Sequence, residues 1–360
     1  MKKALVLSGI YWNSSIQRHH VISKILVELG YEVYFIEAIP SSVFSLKKLL
    51  MRLKKLKKEK KEKKVDSNGV IIKNYSFLNP ILLFKFYNIY KINKLRKEIG
   101  EEVDLFINYL PISTTLEIIK RIKFKKVIYD CVRDFEVWGG YPKNIMKLED
   151  KVVKKSQFIL VDSFYLNKKL ISKYSNKKIV QILPTLDVKS YEILKKSSER
   201  KIEKIKRIVY FGSIADHLDI ELLNNLSKKY EIHIIGEIYS TKILSNDIII
   251  HEFQTNLIDL SNLIYSIADA LIIPYLDRLD GVIPAKLMQC LATQLPIFIN
   301  EFYDSLILQD YLYVYKNEEN LCFQIENFEK LGYSQKKKKM KMLAKENLEE
   351  NLKERIEVLV

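Results

Sequence analysis

Residue types able to do chemistry gather in four short stretches of this 360-residue chain. Phe211-Gly212-Ser213-Ile214 stands between an apolar run and a helical pattern. A glycine at that junction lets backbone N–H groups approach a phosphate, backed by the positive end of the following helix. Further on, Asp269-Ala270-Leu271-Ile272-Ile273-Pro274-Tyr275 precedes Pro284-Ala285-Lys286-Leu287-Met288-Gln289-Cys290-Leu291-Ala292-Thr293-Gln294-Leu295-Pro296-Ile297. This reads as a strand, a loop carrying Arg278 and Lys286, a helix, a tight turn and another strand. In the first half, Gln17-Arg18-His19-His20 opens a helical stripe. Tyr129-Asp130-Cys131-Val132-Arg133-Asp134-Phe135 places two carboxylates and an arginine directly after a β-rich run.

Other chemistries have no direct signal. Neither G-x-G-x-x-G nor G-x-x-x-x-G-K-[ST] occurs, so the fingerprints of dinucleotide and P-loop sites are missing. Cys131, Cys290 and Cys322 lie far apart without C-x-x-C spacing, which argues against a disulfide framework or structural zinc and fits a reducing compartment. The histidines lack ligand spacing: His19 and His20 point about 100° apart on a helix, and His233 falls inside a strand as a core residue. No metal is expected.

The elements that must position these residues follow an α/β pattern. Ala4–Leu7 is a short buried strand; Asn13, Ser14 and Ser15 are helix-capping types; Val21, Ile22, Ile25, Leu26 and Leu29 form one helical stripe; Tyr31–Ile36 is a second strand. That βαβ unit is the building block of a parallel sheet. Further strands are expected at 70–72, 103–107, 127–129 and 158–161. Composition shifts near Pro184, and the charged stretch 189–207 reads as a crossing between domains. Alternation then restarts, with strands at 208–211, 232–235, 248–250, 270–273, 297–299 and 312–314 and helices at 220–230, 257–267 and 286–293. From Ser334 onward, Lys/Glu/Leu-rich sequence predicts one long solvent-facing helix, with Lys336–Lys339 on its wet side. Domains at 1–185 and 186–335, followed by a terminal helix at 336–360, are expected. Both domains would be doubly wound sheets, whose ligands bind at the carboxyl ends of strands.

Sixty Lys+Arg against 44 Asp+Glu leave a formal charge of +16. More than half is local: Lys47 to Lys64 holds eleven Lys/Arg and two Glu, a balance of +9, with Leu46, Leu49, Leu50, Leu53 and Leu56 at helical spacing. A basic helix with a leucine stripe could lie on an anionic membrane through Lys47, Lys48, Arg52, Lys54 and Lys55, or dock its leucines on its own domain. No RNA-binding fingerprint, zinc finger or stacking pattern accompanies the lysines, so nucleic acid is not expected as a partner. The longest apolar stretch, 257–276, is broken by Asp259 and Asp269, short of the roughly 18 residues of a membrane span.

The 269–297 stretch resembles the donor-binding region of GT-B glycosyltransferases, patterned D-hydrophobic-P … P-x-K-L-x-E-x-L-A-x-G-x-P. Three further stretches are similar to bacterial polysaccharide glycosyltransferases of the family 4, teichuronic-acid type. These are Leu7-Ser8-Gly9-Ile10-Tyr11-Trp12 with the 17–20 helix start, Tyr129 to Phe135, and Tyr210-Phe211-Gly212-Ser213-Ile214-Ala215-Asp216. The likeness spans residues 1 to about 300 in the family's order. It implies two Rossmann-like domains facing across a cleft, with an acceptor-side N-terminal domain and a nucleotide-sugar-binding C-terminal one. It further implies phosphate contacts from Gly212, Ser213, Arg278 and Lys286, a ribose contact from Gln289, and acceptor or base roles for Asp134, Asp130 and His19. Asp130 could equally cap or orient a loop.

Departures stand beside the likeness. Gln289 replaces the family's usual Glu, Gly281 stands where a two-glutamate version has its first acid, and Gln294 takes the glycine position of A-x-G-x-P. The expectation is a retaining glycosyltransferase without metal or cofactor. Its nucleotide-sugar substrate would serve a lipid-linked or surface-polysaccharide acceptor at the cytoplasmic face of the membrane. The alternative is a GT-B-shaped binding or assembly partner without catalysis.

Overall fold

The structure, a computed structural model, describes residues 1–14, 16–41, 64–78, 84–276 and 279–360. The basic segment with Lys47, Lys48, Arg52, Lys54 and Lys55, the capping candidate Ser15, and Arg278 lie outside these residues.

Contacts divide the chain into two units, Met1–Ile182 with Lys353–Val360, and Leu183–Leu352. The first holds β1 (Lys2–Leu7), β2 (Tyr31–Ile36), β3 (Lys64–Val65), β4 (Ile71–Lys73), β5 (Glu102–Asn108), β6 (Lys123–Cys131), β7 (Phe158–Val161) and β8 (Lys178–Gln181). Among the described residues their order is β3-β4-β2-β1-β5-β6-β7-β8, parallel except for the β3–β4 pair. Ala4 to Leu7 in the central strand are fully buried, as expected where helices cover both sheet faces. The order reverses between β1 and β5, so the helix Arg18–Glu28 and the ends of β5 and β6 meet at that switch point.

The second unit holds β9 (Arg207–Phe211), β10 (Glu231–Ile235), β11 (Ile249–His251), β12 (Ala270–Ile273), β13 (Ile297–Asn300) and β14 (Tyr313–Tyr315). Their order is β11-β10-β9-β12-β13-β14, all parallel. Counted within the unit this is 3-2-1-4-5-6, with the switch point between β9 and β12.

Three expectations change. The terminal helix is two helices, Tyr333–Glu346 and Glu349–Leu359. Between them Leu348 forms a β-bridge with Leu186, framed by Leu186 N–H donating to the Asn347 carbonyl at 3.1 Å and Glu349 N–H to the Leu186 carbonyl at 3.1 Å. A distant strand-like contact thus outcompetes helix continuation. The lysines at 336–339 are not simply solvated: Lys336 donates to the Leu312 carbonyl at 2.9 Å and to that of Gln309, and Lys337 to the Ser198 carbonyl at 2.6 Å. The first helix is closed at Gln17 rather than at 13–15, because the Gln17 N–H donates to His20 Nδ1 at 3.0 Å. His20 Nε2 must then carry the ring proton, which it gives to the Trp12 carbonyl at 3.0 Å.

Candidate functional site

In the second unit, β9 runs into Gly212, whose φ is +128° and whose N–H donates to the Ile235 carbonyl at 2.9 Å. A Cβ here would meet the Lys286 ammonium and lie 3.3 Å from the Tyr210 hydroxyl; the lysine end can swing aside, so it is the positive φ that calls for glycine. Across the switch point, β12 ends at Pro274-Tyr275, and Lys286 is the first residue of the helix Lys286–Thr293, which no side chain caps. The Lys286 Nζ donates to the Tyr210 hydroxyl at 2.7 Å and to the Phe211 carbonyl at 2.9 Å. It sits 4.1 Å from the Tyr210 ring centroid and 5.9 Å from that of Tyr275. The Tyr210 hydroxyl passes its own proton to the Ser213 carbonyl at 3.0 Å, while Ser213's side chain is exposed.

Among the described residues no carboxylate pairs with Lys286. Burial therefore dominates and pulls its pKa from the ordinary 10.5 to about 8. His217, whose ring meets Tyr275 edge-on at 5.1 Å, is pushed down by burial and then by the Lys286 charge. Gln289 lies one turn along the helix and is half-buried. A cation without a carboxylate partner among the described residues, a helix N-terminus that no side chain caps and a glycine turn meet at the switch point, an arrangement suited to an anion.

The departures from the motif have local explanations. Gln294 keeps the left-handed conformation that a glycine there would adopt, with φ +57°, its carbonyl accepting from the Tyr333 hydroxyl at 3.0 Å. Gly281 has φ +86°, a conformation unfavourable for any residue with a side chain, an acid included.

In the first unit, Arg18 Nε donates to Asp130 Oδ2 at 2.8 Å and Nη1 to the Ile182 carbonyl at 2.7 Å. Asp130 is fully buried. Burial opposes the Arg18 charge, but Asp130 outweighs it and raises the guanidinium's pKa. Around this pair, Arg18 Nη2, Asp130 Oδ1, His19 Nδ1 and the Tyr109 hydroxyl are buried without a well-formed hydrogen bond among the described residues. The His19 ring lies 3.7 Å from the Tyr109 ring centroid, and burial, then His20 and Arg18, lower its pKa to about 3. It is a neutral imidazole across the physiological range.

Asp134 is also buried, and both oxygens accept from Lys169 Nζ, at 2.8 and 2.7 Å. Oδ1 additionally accepts from the Glu136 N–H at 3.0 Å. Burial disfavours the Lys169 charge, but the bonds to Asp134 and Glu136 prevail and raise its pKa. Asp134 thus anchors the loop beyond β6 through Lys169 and the Glu136 N–H. In that loop Arg133 stacks 5.2 Å from the Trp138 ring and donates to the Tyr141 hydroxyl at 3.0 Å.

The structure therefore brings Gly212, Ser213, Lys286 and Gln289 to one strand end, and Arg18, His19 and Asp130 to another, with Asp134 just past the end of β6. Sequence reasoning missed Tyr210, His217 and Tyr275 around the cation, and Lys169 and Tyr109 in the first unit. Tyr210 and Tyr275 stood in quoted motifs and His217 one residue past one, but nothing local marked them as neighbours of Lys286. A cavity of about 760 Å³ at the opposite, N-terminal ends of β9 and β10 is lined by Glu203, Lys206, Lys229, Glu231 and Phe328. Its mixed charges offer an anion no net attraction. Among the described residues no cluster of three or more His, Cys, Asp or Glu is placed to hold a metal ion, and no helix is long and apolar enough to cross a membrane.

No family model and no curated protein matches the chain. Solved structures do. Sucrose-phosphate synthase from Thermosynechococcus elongatus aligns with TM-score 0.69 and 8% identity over 99% of this chain and 98% of its own. A glycosyltransferase from Rickettsia africae gives 0.67 and 14% over 99% and 97%. Anabaena HepE, solved with UDP, gives 0.66 and 10% over 100% and 99%. With two parallel Rossmann-like sheets and likeness along essentially the whole of each chain, the protein has the GT-B fold.

Proposed function

We propose that this chain is a glycosyltransferase that moves a sugar from a nucleotide-sugar donor. The observation that carries the reading is the Lys286 ammonium, desolvated and without a carboxylate partner among the described residues, at the switch point beside Gly212. Departure of a nucleoside diphosphate breaks the bond between the anomeric carbon and the phosphate oxygen and leaves negative charge on that oxygen. Lys286, the backbone N–H groups after Gly212 and the helix N-terminus stabilise that charge, while an acceptor hydroxyl loses its proton and bonds the anomeric carbon. Arg278, eight residues before Lys286 in sequence, is a further phosphate candidate, and Gln289 a ribose contact. Solved neighbours support the donor class: HepE was obtained with UDP and with UDP-glucose, and a trehalose-6-phosphate protein from E. coli with UDP-2-fluoro glucose.

The finer reading rests on the family resemblance: a retaining reaction, no metal, and a lipid-linked or surface-polysaccharide acceptor held by the first unit near Asp130 and Asp134. The basic, leucine-striped segment with Lys47, Lys48, Arg52, Lys54 and Lys55 supports a working place at the cytoplasmic face of an anionic membrane. A second reading, a binding partner without catalysis, is favoured by Gln289 in place of Glu and by Gly281. Thermal-shift measurement with UDP-, GDP-, dTDP- and CMP-sugars tests the donor reading. One of them at 100 times its Kd stabilises by about 2.7 kcal/mol, and Lys286→Ala removes that gain. Silence across the panel would overturn donor binding; binding without turnover selects the second reading.

A further inference from the structure

We propose that the helix Lys85–Ile99 lays its outer face, led by Phe86 and Tyr90, against an anionic lipid surface. The proposal deepens the membrane working place suggested above and does not depend on the transfer chemistry.

The helix has one face committed inward. Asn88, Ile92, Leu95 and Ile99 are buried, and Asn88 pins the rotation by accepting from the Leu78 N–H at 3.0 Å and donating to the Leu78 carbonyl at 2.8 Å. The far end is tied by Glu98, which accepts from Lys73 at 2.9 Å and from the Tyr75 hydroxyl at 2.7 Å. With both ends fixed, what points outward is set by sequence period. Phe86 and Tyr90, one turn apart, are 86% and 64% exposed, followed along the same face by Lys94 and Lys97.

Scattered exposed apolar residues are ordinary. Two aromatic rings on one fixed face, bordered by ammonium groups, form the pattern of an interfacial helix. Lys91 Nζ sits 5.0 Å from the Tyr87 ring and 6.0 Å from the Tyr90 ring, so a charge rides beside the aromatic patch at headgroup height.

Charge selects the occupant. The segment 47–64 carries +9 and re-enters the described chain at Lys64 in β3. β3 pairs with β4, whose last residue, Lys73, holds Glu98 of this helix. In sequence the basic segment runs directly into β3, and the aromatic face carries Lys91, Lys94 and Lys97 of its own. A second copy would bring lysines against lysines, whereas an anionic bilayer offers phosphate to the lysines and acyl chains to the rings.

The test is flotation of the full-length protein with phosphatidylcholine vesicles, with and without phosphatidylglycerol. Wild type is expected to bind only the anionic vesicles. Phe86→Ala and Tyr90→Ala each lower partitioning on the order of tenfold, and the loss persists at high salt, which screens the lysines but not the rings. The indole introduced by Phe86→Trp is quenched by brominated lipids. Unchanged binding of the double alanine variant, or an unquenched indole, overturns the proposal while leaving the basic segment as the membrane contact. Self-association abolished by the same variant also overturns it, in favour of a second copy. Failure of wild type to bind any vesicle removes the membrane working place altogether, and the nucleotide-sugar thermal shift, measured separately, is unaffected by either result.

Discussion

Replacing Lys286 by methionine removes the charge while keeping a long apolar stem in the slot between Tyr210 and Tyr275. In the free protein burial holds this ammonium's pKa at about 8, below the ordinary 10.5. A bound diphosphate supplies the missing counter-charge and restores the higher value. The proton is thus held more tightly in the complex, so affinity is full below pH 8 and is lost as pH rises above it. With a free-site pKa near 8, the protonated fraction falls from about nine-tenths at pH 7 to about one-tenth at pH 9, and affinity for UDP falls about tenfold, or about 1.4 kcal/mol.

Calorimetric titration of UDP in buffers of different ionisation heat reads the same linkage directly, as uptake of about half a proton per site at pH 8. Lys286→Met binds weakly and with no slope beyond the ligand's own titration. The free protein moves the other way. Between pH 8 and 10.5 the unfolded chain holds more protons, so stability rises with pH there, and at pH 7 the variant gains about 1–3 kcal/mol after allowance for partial exposure. A variant that binds UDP like wild type, or a wild-type affinity flat between pH 7 and 9, refutes this role for Lys286.

Four further outcomes follow from the same geometry. Gly212→Ala puts a side chain at a left-handed φ and pushes the Lys286 ammonium out of its place, and is expected to cost about 1–3 kcal/mol and to weaken nucleotide binding, as seen in urea unfolding and thermal shift. Gln294→Gly relieves a left-handed non-glycine residue and raises the urea midpoint by an amount equivalent to roughly 0.5–1 kcal/mol. Arg18→Ala strands the buried Asp130 carboxylate and costs about 3–5 kcal/mol, whereas Arg18→Met with Asp130→Leu costs much less; a double-mutant cycle measures the difference. For His19, with a folded pKa of about 3, stability is full above pH 6.5 and falls by about 1.4 kcal/mol per unit as pH drops below it; His19→Gln flattens that slope in acid unfolding.

Much of the scaffold was readable because parallel strands buried on both faces leave short apolar runs bounded by Gly or Pro. β12 before Pro274 and the helix Lys286–Thr293 before Pro296 fall where periodicity puts them. β8, Lys178–Gln181, escaped notice because an edge strand with exposed and half-buried residues has no apolar run. The break at Asn347-Leu348 is set by Leu186, far back in the chain, and helical periodicity carries no trace of such a partner. The candidate site divides in the same way. Gly212 and Lys286 stand in motifs, but their meeting through Tyr210 spans 76 residues, and the Lys169 clasp on Asp134 spans 35. Local spacing encodes which residues sit at strand ends; the pairing of those ends is a property of strand order.

The most direct measurement is release of free nucleoside diphosphate from a panel of nucleotide sugars by the purified full-length chain, with Lys286→Met as its control. Wild type is expected to hydrolyse one donor class slowly, and the variant to lose that activity. No release from any donor, or equal release by both proteins, would contradict that expectation.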